Sequence, residues 1–109
     1  MAFDEGLAER IRDALSKTGT LPEKRMFGGI AFMLNGNMCC GVIKDDLVLR
    51  VGEAQGAQAL KQPHVRPMDF TGRPMKGYIY ISPDGTESDA ALKTWLTMAV
   101  RFTSTLKRK

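Results

Sequence analysis

The stretch Arg25 to Gly52, RMFGGIAFMLNGNMCCGVIKDDLVLRVG, holds three apolar runs separated by turn residues and carries little charge. Ile30 to Leu34 and Met38 to Ile43 flank Asn35-Gly36, a dipeptide that tolerates the positive φ angles of a two-residue hairpin turn. Lys44-Asp45-Asp46 makes a second polar turn. Beyond it Leu47, Leu49 and Val51 alternate with Val48 and Arg50 at the two-residue period of a strand. The stretch therefore predicts a three-stranded antiparallel meander. Gly28-Gly29 removes side chains where the first strand begins, which marks a bulge, a bend or a close backbone approach.

Working outward, Phe3, Leu7, Ile11, Ala14 and Leu15 recur at spacings of three and four, against Glu5, Glu9, Arg10, Arg12 and Asp13 on the other side. That is an amphipathic helix ending near Gly19, with Thr18 to Pro22 as a loop and Glu23-Lys24-Arg25 leading into the meander. After the meander, Glu53 to Lys61 is rich in helix formers, although Gly56 within it costs about 1 kcal/mol relative to alanine. His64 to Phe70 can form a strand, which Pro67 confines to an edge because proline cannot donate to a ladder. Gly77 to Ile81 is a strand of aromatic and β-branched residues. Leu92, Trp95, Ala99, Phe102 and Leu106 form the stripe of a last helix that Ser88 or Asp89 caps.

The order is thus helix, three strands, helix, two strands, helix, an α+β two-layer domain with helices covering one face of an antiparallel sheet. A chain of 109 residues fits one such domain, which buries roughly 60 to 70% of the surface that its unfolded form exposes. Ala31, Met33, Val48 and either the tyrosines or the isoleucines of Tyr78 to Ile81 fall on the back face. That face is more apolar than a solvated one should be, so a two-fold homodimer, through this face or an unpaired edge, is expected to cover it.

No apolar run approaches the ~20 residues of a membrane helix. The opening MAFDEG is acidic where a signal peptide is basic, and the expectation is a soluble cytoplasmic protein without a membrane partner. Cys39 and Cys40 are neighbours with Cα atoms about 3.8 Å apart, below the usual disulfide range. Strand alternation predicts one on each face of the sheet. The formal net charge is +4, yet Met1 to Val100 has as many acidic as basic residues. The excess lies in Arg101, Lys107, Arg108 and Lys109, a basic end that is expected to be solvated. If nucleic acid binds, these residues with Arg66, Arg73 and Lys76 are the candidate phosphate contacts, and binding should be weak and sequence-blind.

The chemistry-bearing residues make no catalytic pattern. His64 is the only histidine and stands among prolines, with no serine or cysteine motif around it. Asp45-Asp46 reads as hairpin-turn chemistry, since no further carboxylate is spaced to complete a metal site. Met26 to Gly29 lacks the spacing of a phosphate-cradling loop. The seven methionines fill core gaps or line an adaptable groove. No catalytic residue, metal or cofactor is predicted. An enzyme would have to gather Met26 to Gly29, His64 and Cys39 or Cys40 around a small-molecule pocket.

The run Glu23 to Gly29, the strand after it, Asn35-Gly36, and Leu47-x-Leu49-Arg50-Val51 resemble the N-terminal domain of the TfoX/Sxy family, whose hallmark is an Arg-Met-Phe-Gly-Gly entry into the sheet. Met68-x-Phe70, Tyr78 to Ile81 and Leu92-x-x-Trp95 extend the resemblance over nearly the whole chain. It implies the same element order, in a fold similar to secretion-chaperone domains. It also implies a non-catalytic role in regulation through protein contacts, with Arg25, Met26, Phe27, Gly28 and Gly29 as candidate interaction residues. Longer members regulate natural competence genes and carry a second, helical domain. Only Lys107 to Lys109 follow Leu106 here, so a stand-alone domain is expected, and the fold carries over more readily than the competence role.

Overall fold

The computed structural model describes residues 4–16, 21–26, 28–69 and 74–107, with residues 26, 68, 69 and 74–76 described by their backbone alone. Among these residues the chain forms helix α1 (Glu5–Leu15), strands β1 (Glu23–Met26), β2 (Gly29–Leu34), β3 (Asn37–Ile43) and β4 (Asp46–Arg50), helix α2 (Glu53–Ala59), strands β5 (Val65–Asp69) and β6 (Pro74–Ile81), a 3-10 turn at Pro83–Thr86, and helix α3 (Asp89–Thr103). The strands make one antiparallel sheet in the order β1-β2-β3-β4-β6-β5. The α+β architecture is therefore as expected, with one correction. Four strands rather than three precede α2, because Glu23 to Met26 pairs with β2 instead of only leading into it.

Local chemistry accounts for the ends of the elements. Asp4 caps α1, its Oδ1 accepting from the Leu7 amide at 3.1 Å, and the Ser88 hydroxyl caps α3 by accepting from Ala91 at 3.1 Å. Asn35 and Gly36 have φ of 54° and 81°, and Leu34 pairs with Asn37, so the dipeptide forms the expected two-residue hairpin. Lys44 has φ of 54° in the second turn, where Ile43 pairs with Asp46. Strand β5 carries Pro67 and lies at the sheet edge, as proline requires.

Alternation divides the sheet into two faces. Ile30, Phe32, Cys40, Val42, Leu47, Leu49, Ile79 and Ile81 join Leu7, Ile11, Leu92, Trp95, Leu96 and Ala99 in the buried core, so all three helices lie on this side. The opposite face carries the row Lys24, Ala31, Gly41, Val48, Tyr80 and Arg66, each the cross-strand partner of the next. The tyrosines, not the isoleucines, thus occupy the back face.

The cysteines break the alternation. The β2–β3 register shifts between Phe32 and Met33, so that Phe32 pairs with Cys40 and Met33 with Met38, leaving Cys39 as an inserted residue. Such a bulge turns two successive side chains the same way. Both cysteines are fully buried in the core, which corrects the expected one-per-face arrangement.

The apolar centre of the back face is covered within one chain, since Ala31 and Val48 are 1% and 0% exposed. Both sheet edges also carry features that oppose edge pairing: Glu23, Lys24 and Arg25 on β1, and Pro67 on β5. A homodimer through this face or through an edge stays a proposal.

Candidate functional site

A groove of about 870 Å³ runs between α2 and α3 on the helix-covered side. Its apolar lining comes from Val51, at the end of β4, and from Met98 and Phe102 on α3. Lys93 and Arg101 stand on its rim, with Gln55 from α2 opposite. Lys93 and Arg101 are exposed, while Met98 and Phe102 are half-buried. Their spacing explains this division. Leu92, Trp95, Leu96, Ala99 and Thr103 point into the core, Met98 and Phe102 lie one turn apart at its margin, and Lys93, Thr97 and Arg101 follow every four residues on the solvent side.

The groove wall depends on a close backbone crossing. Gly52 has φ of +86° and packs directly under the Phe102 ring, so that a Cβ added there would lie 2.5 Å from Cε1 of the ring. The Val51 and Gly52 amides both donate to the Gly77 carbonyl, at 2.8 and 3.1 Å, which ties the start of α2 to β6. Gly56, the residue that weakens α2 as an isolated helix, is buried toward Gly77 and Val51.

Polar groups in the groove are already engaged in part. Thr94 donates to the Ala90 carbonyl at 2.9 Å and Thr97 to that of Lys93 at 2.8 Å, so their hydroxyls present lone pairs rather than protons to an incoming group. The lining has no cysteine, histidine or carboxylate, and no cluster of three or more such residues elsewhere among the described residues could hold a metal ion. The arrangement suits binding through an apolar floor and a cationic rim.

The residues singled out in the sequence are scattered around this site. Arg25 is exposed on edge strand β1, and Gly28 is exposed beside it. Gly29 is buried where a Cβ would run into the Val42 carbonyl, which gives it a packing role in strand approach. Met26 is described by its backbone only, and Phe27 lies outside the described residues. Arg101 does line the groove. Arg66 lies on the opposite face of the sheet, bonded to Asp46 at 2.6 Å and stacked over the Tyr80 ring at 5.2 Å. Lys107 follows α3, and its carbonyl accepts from Nδ2 of the buried Asn37 at 2.9 Å, so the start of the basic end is anchored to β3. The Lys76 side chain is not described, and Arg73, Arg108 and Lys109 lie outside the described residues. Arg66 and Arg101 therefore do not form one phosphate patch.

The enzyme constellation is not assembled either. His64 is exposed at the entry to β5, whereas Cys39 and Cys40 have no solvent access. The Cys40 thiol is pushed well above its ordinary range by its hydrogen bond to Cys39 and by burial. The buried Thr103 hydroxyl has no hydrogen-bond partner among the described residues. A pair so enclosed packs as small apolar residues do.

The family model described as the TfoX N-terminal domain matches residues 13–103. The chain belongs to that family. The match spans β1 through α3 and so contains both the Arg25–Gly29 entry and the whole groove. The family is one of non-enzymatic domains, and membership points to a regulatory, competence-related role. A comparison with curated proteins gives no match. No helix among the described residues is long and apolar enough to cross a membrane.

Proposed function

We propose that this TfoX N-terminal domain is a non-catalytic regulatory module of the cytoplasm that acts by binding a protein partner in the groove between α2 and α3. The observation that carries the reading is the lining itself, with Val51, Met98 and Phe102 as an apolar floor and Lys93 and Arg101 as a cationic rim. A segment matching it has apolar residues on one side and Asp or Glu on the other, as an acidic amphipathic helix does. Apolar anchors then supply affinity, and the rim charges set orientation and association rate.

The test is a titration of the full chain with a labelled acidic amphipathic peptide, followed by photo-crosslinking from Thr97 in cells. Met98→Glu should weaken the peptide by at least about tenfold, because it places a charge against an apolar contact. Lys93→Gln with Arg101→Gln should slow association and flatten its salt dependence. Equal binding by wild type and Met98→Glu, both folded, would remove the groove as the partner site. A substrate turnover lost on His64→Ala would favour the enzyme reading instead.

A further inference from the structure

The face of the sheet turned away from the helices carries a second arrangement. Tyr78 and Tyr80 alternate on β6 with Ile79 and Ile81, which are buried in the core, so both phenol rings lie on the far side. Two residues along a strand span roughly 6.6 Å. Each ring has its own arginine from the neighbouring strand. Arg50 of β4 pairs with Tyr78 and holds its guanidinium carbon 5.4 Å from that ring centroid, while Arg66 of β5 pairs with Tyr80 and stands at 5.2 Å. The two arginines thus flank the tyrosines from opposite sides of β6. Lys24 is exposed at the other end of the Tyr80 row, and Asp46, bonded to Arg66, puts a carboxylate on this face.

We propose that this face is a binding platform for single-stranded nucleic acid, with Tyr78 and Tyr80 stacking successive bases and Arg50 and Arg66 contacting the phosphates between them. Three features favour that occupant. The rings are spaced along one strand, as needed to receive unstacked bases in sequence, and every base offers a π-face to such rings. The guanidiniums supply both cation–π contact and phosphate donors, since Arg66 has five N–H groups and the bond to Asp46 uses one. Among the described side chains of this face the cations Lys24, Arg50 and Arg66 outnumber the carboxylate of Asp46, a balance that suits a polyanion. A duplex offers no unstacked bases to the rings. This site is independent of the groove and places nucleic-acid contact on the sheet rather than on the basic end.

The experiment is fluorescence anisotropy of the full chain with oligo(dT) and oligo(rU) of about 12 nucleotides, a length that spans a site of this size. Both single strands should bind at about 50 mM salt and weaken steeply toward about 200 mM. A duplex of equal length should bind more weakly. Tyr78→Ala and Tyr80→Ala should each reduce affinity by about five- to a hundredfold, and the Phe variants should keep it. Arg50→Gln and Arg66→Gln should each lower the log–log salt slope by about 0.7. Those Arg variants decide the matter even where an alanine variant fails to fold. Met98→Glu in the groove should leave oligonucleotide binding unchanged. The proposal is overturned by an absence of binding at low salt, by a duplex that binds as well, by folded tyrosine variants with wild-type affinity, by an unaltered slope in the Arg variants, or by polyglutamate competing as strongly as the oligonucleotide. The last result would assign the face to an acidic protein.

Discussion

Along one cross-strand row, Phe32, Cys40, Leu49 and Ile79 are all buried beneath the helices. One residue along those strands the row reads Ala31, Gly41, Val48 and Tyr80, and Lys24 of β1 and Arg66 of β5 extend it to the two edges. The first face consists of apolar side chains that helices α1, α2 and α3 remove from water, whereas the second shields its small apolar centre within a border of long polar and aromatic ones. Burial alone does not distinguish them, since Val48 and Leu49 are both at 0% exposure. What differs is the material doing the covering. Helices pack against Leu49 as part of one continuous core, while Val48 lies outside that cluster.

The largest expected effect tests that difference directly. Leu49→Ala should destabilise the domain by about 2 to 5 kcal/mol, because the packed helices relax only partly into the space left behind. Val48→Ala removes two methyl groups and should cost about 1 to 2 kcal/mol, since flexible border side chains can close over the gap. Chemical denaturation of both variants reads the gap between them. Equal losses would mean that the far face is packed as rigidly as the helix-covered one and would break the comparison.

A second pair of variants divides the helix-covered side itself. Gly52→Ala forces a side chain into a conformation with φ of +86° and against the Phe102 ring, and should cost about 2 to 4 kcal/mol. It should also displace a wall of the groove. Four residues later, Gly56 faces atoms of Gly77 and Val51 no nearer than 3.7 Å, ordinary contact for a methyl group. Gly56→Ala should therefore raise stability by up to about 1 kcal/mol through helix propensity. Thermal melting of the two proteins should move in opposite directions. A drop for both would show that α2 is docked more tightly than these distances allow.

The faces also explain what was legible in the sequence. Strict alternation in Leu47 to Val51, the Asn35-Gly36 turn and the stripe of α3 announce themselves because each is a local pattern bearing on one burial decision. Strand β1 does not, since Glu23, Lys24 and Arg25 show no apolar alternation; an edge strand needs pairing on one side only, and charge there discourages a further partner. The Cys39 bulge was hidden for a related reason, because one inserted residue reverses the facing of everything on one side of it. The candidate site was less legible still. Met98 and Phe102 extend the apolar stripe of α3 beyond what the core consumes, a signal that could have been seen, but Val51 and Gln55 join them only through the docking of α2. The Tyr78–Arg50 and Tyr80–Arg66 pairs depend on β6 lying between β4 and β5, a strand order that no local pattern encodes.

The smallest expected effect concerns the place where the two faces meet at the edge. On β1, Lys24 belongs to the far row, but Glu23 pairs with Phe32 and so faces the helix layer, where a carboxylate needs a partner. Arg12 of α1 supplies one through a two-pronged contact, Nε to Oε2 at 2.6 Å and Nη2 to Oε1 at 2.7 Å. These hydrogen bonds hold the Glu23 carboxyl below its ordinary range despite the opposing effect of partial burial. The unfolded chain titrates this group near the usual value of about 4.3. The pair's stabilisation is therefore fully present above that pH and is lost as pH falls through the lower, folded value. With Arg12 and Glu23 side chains 38% and 31% exposed, solvent screening limits the contribution to about 0.2 to 1 kcal/mol. Glu23→Gln should lower stability at neutral pH by that amount, and its stability should fall less than that of the wild type as the pH is lowered through this window. The mutant and wild-type curves should then converge at acid pH. Parallel curves from neutral to acid pH would show that the contact between edge strand and helix layer contributes nothing that depends on the Glu23 charge.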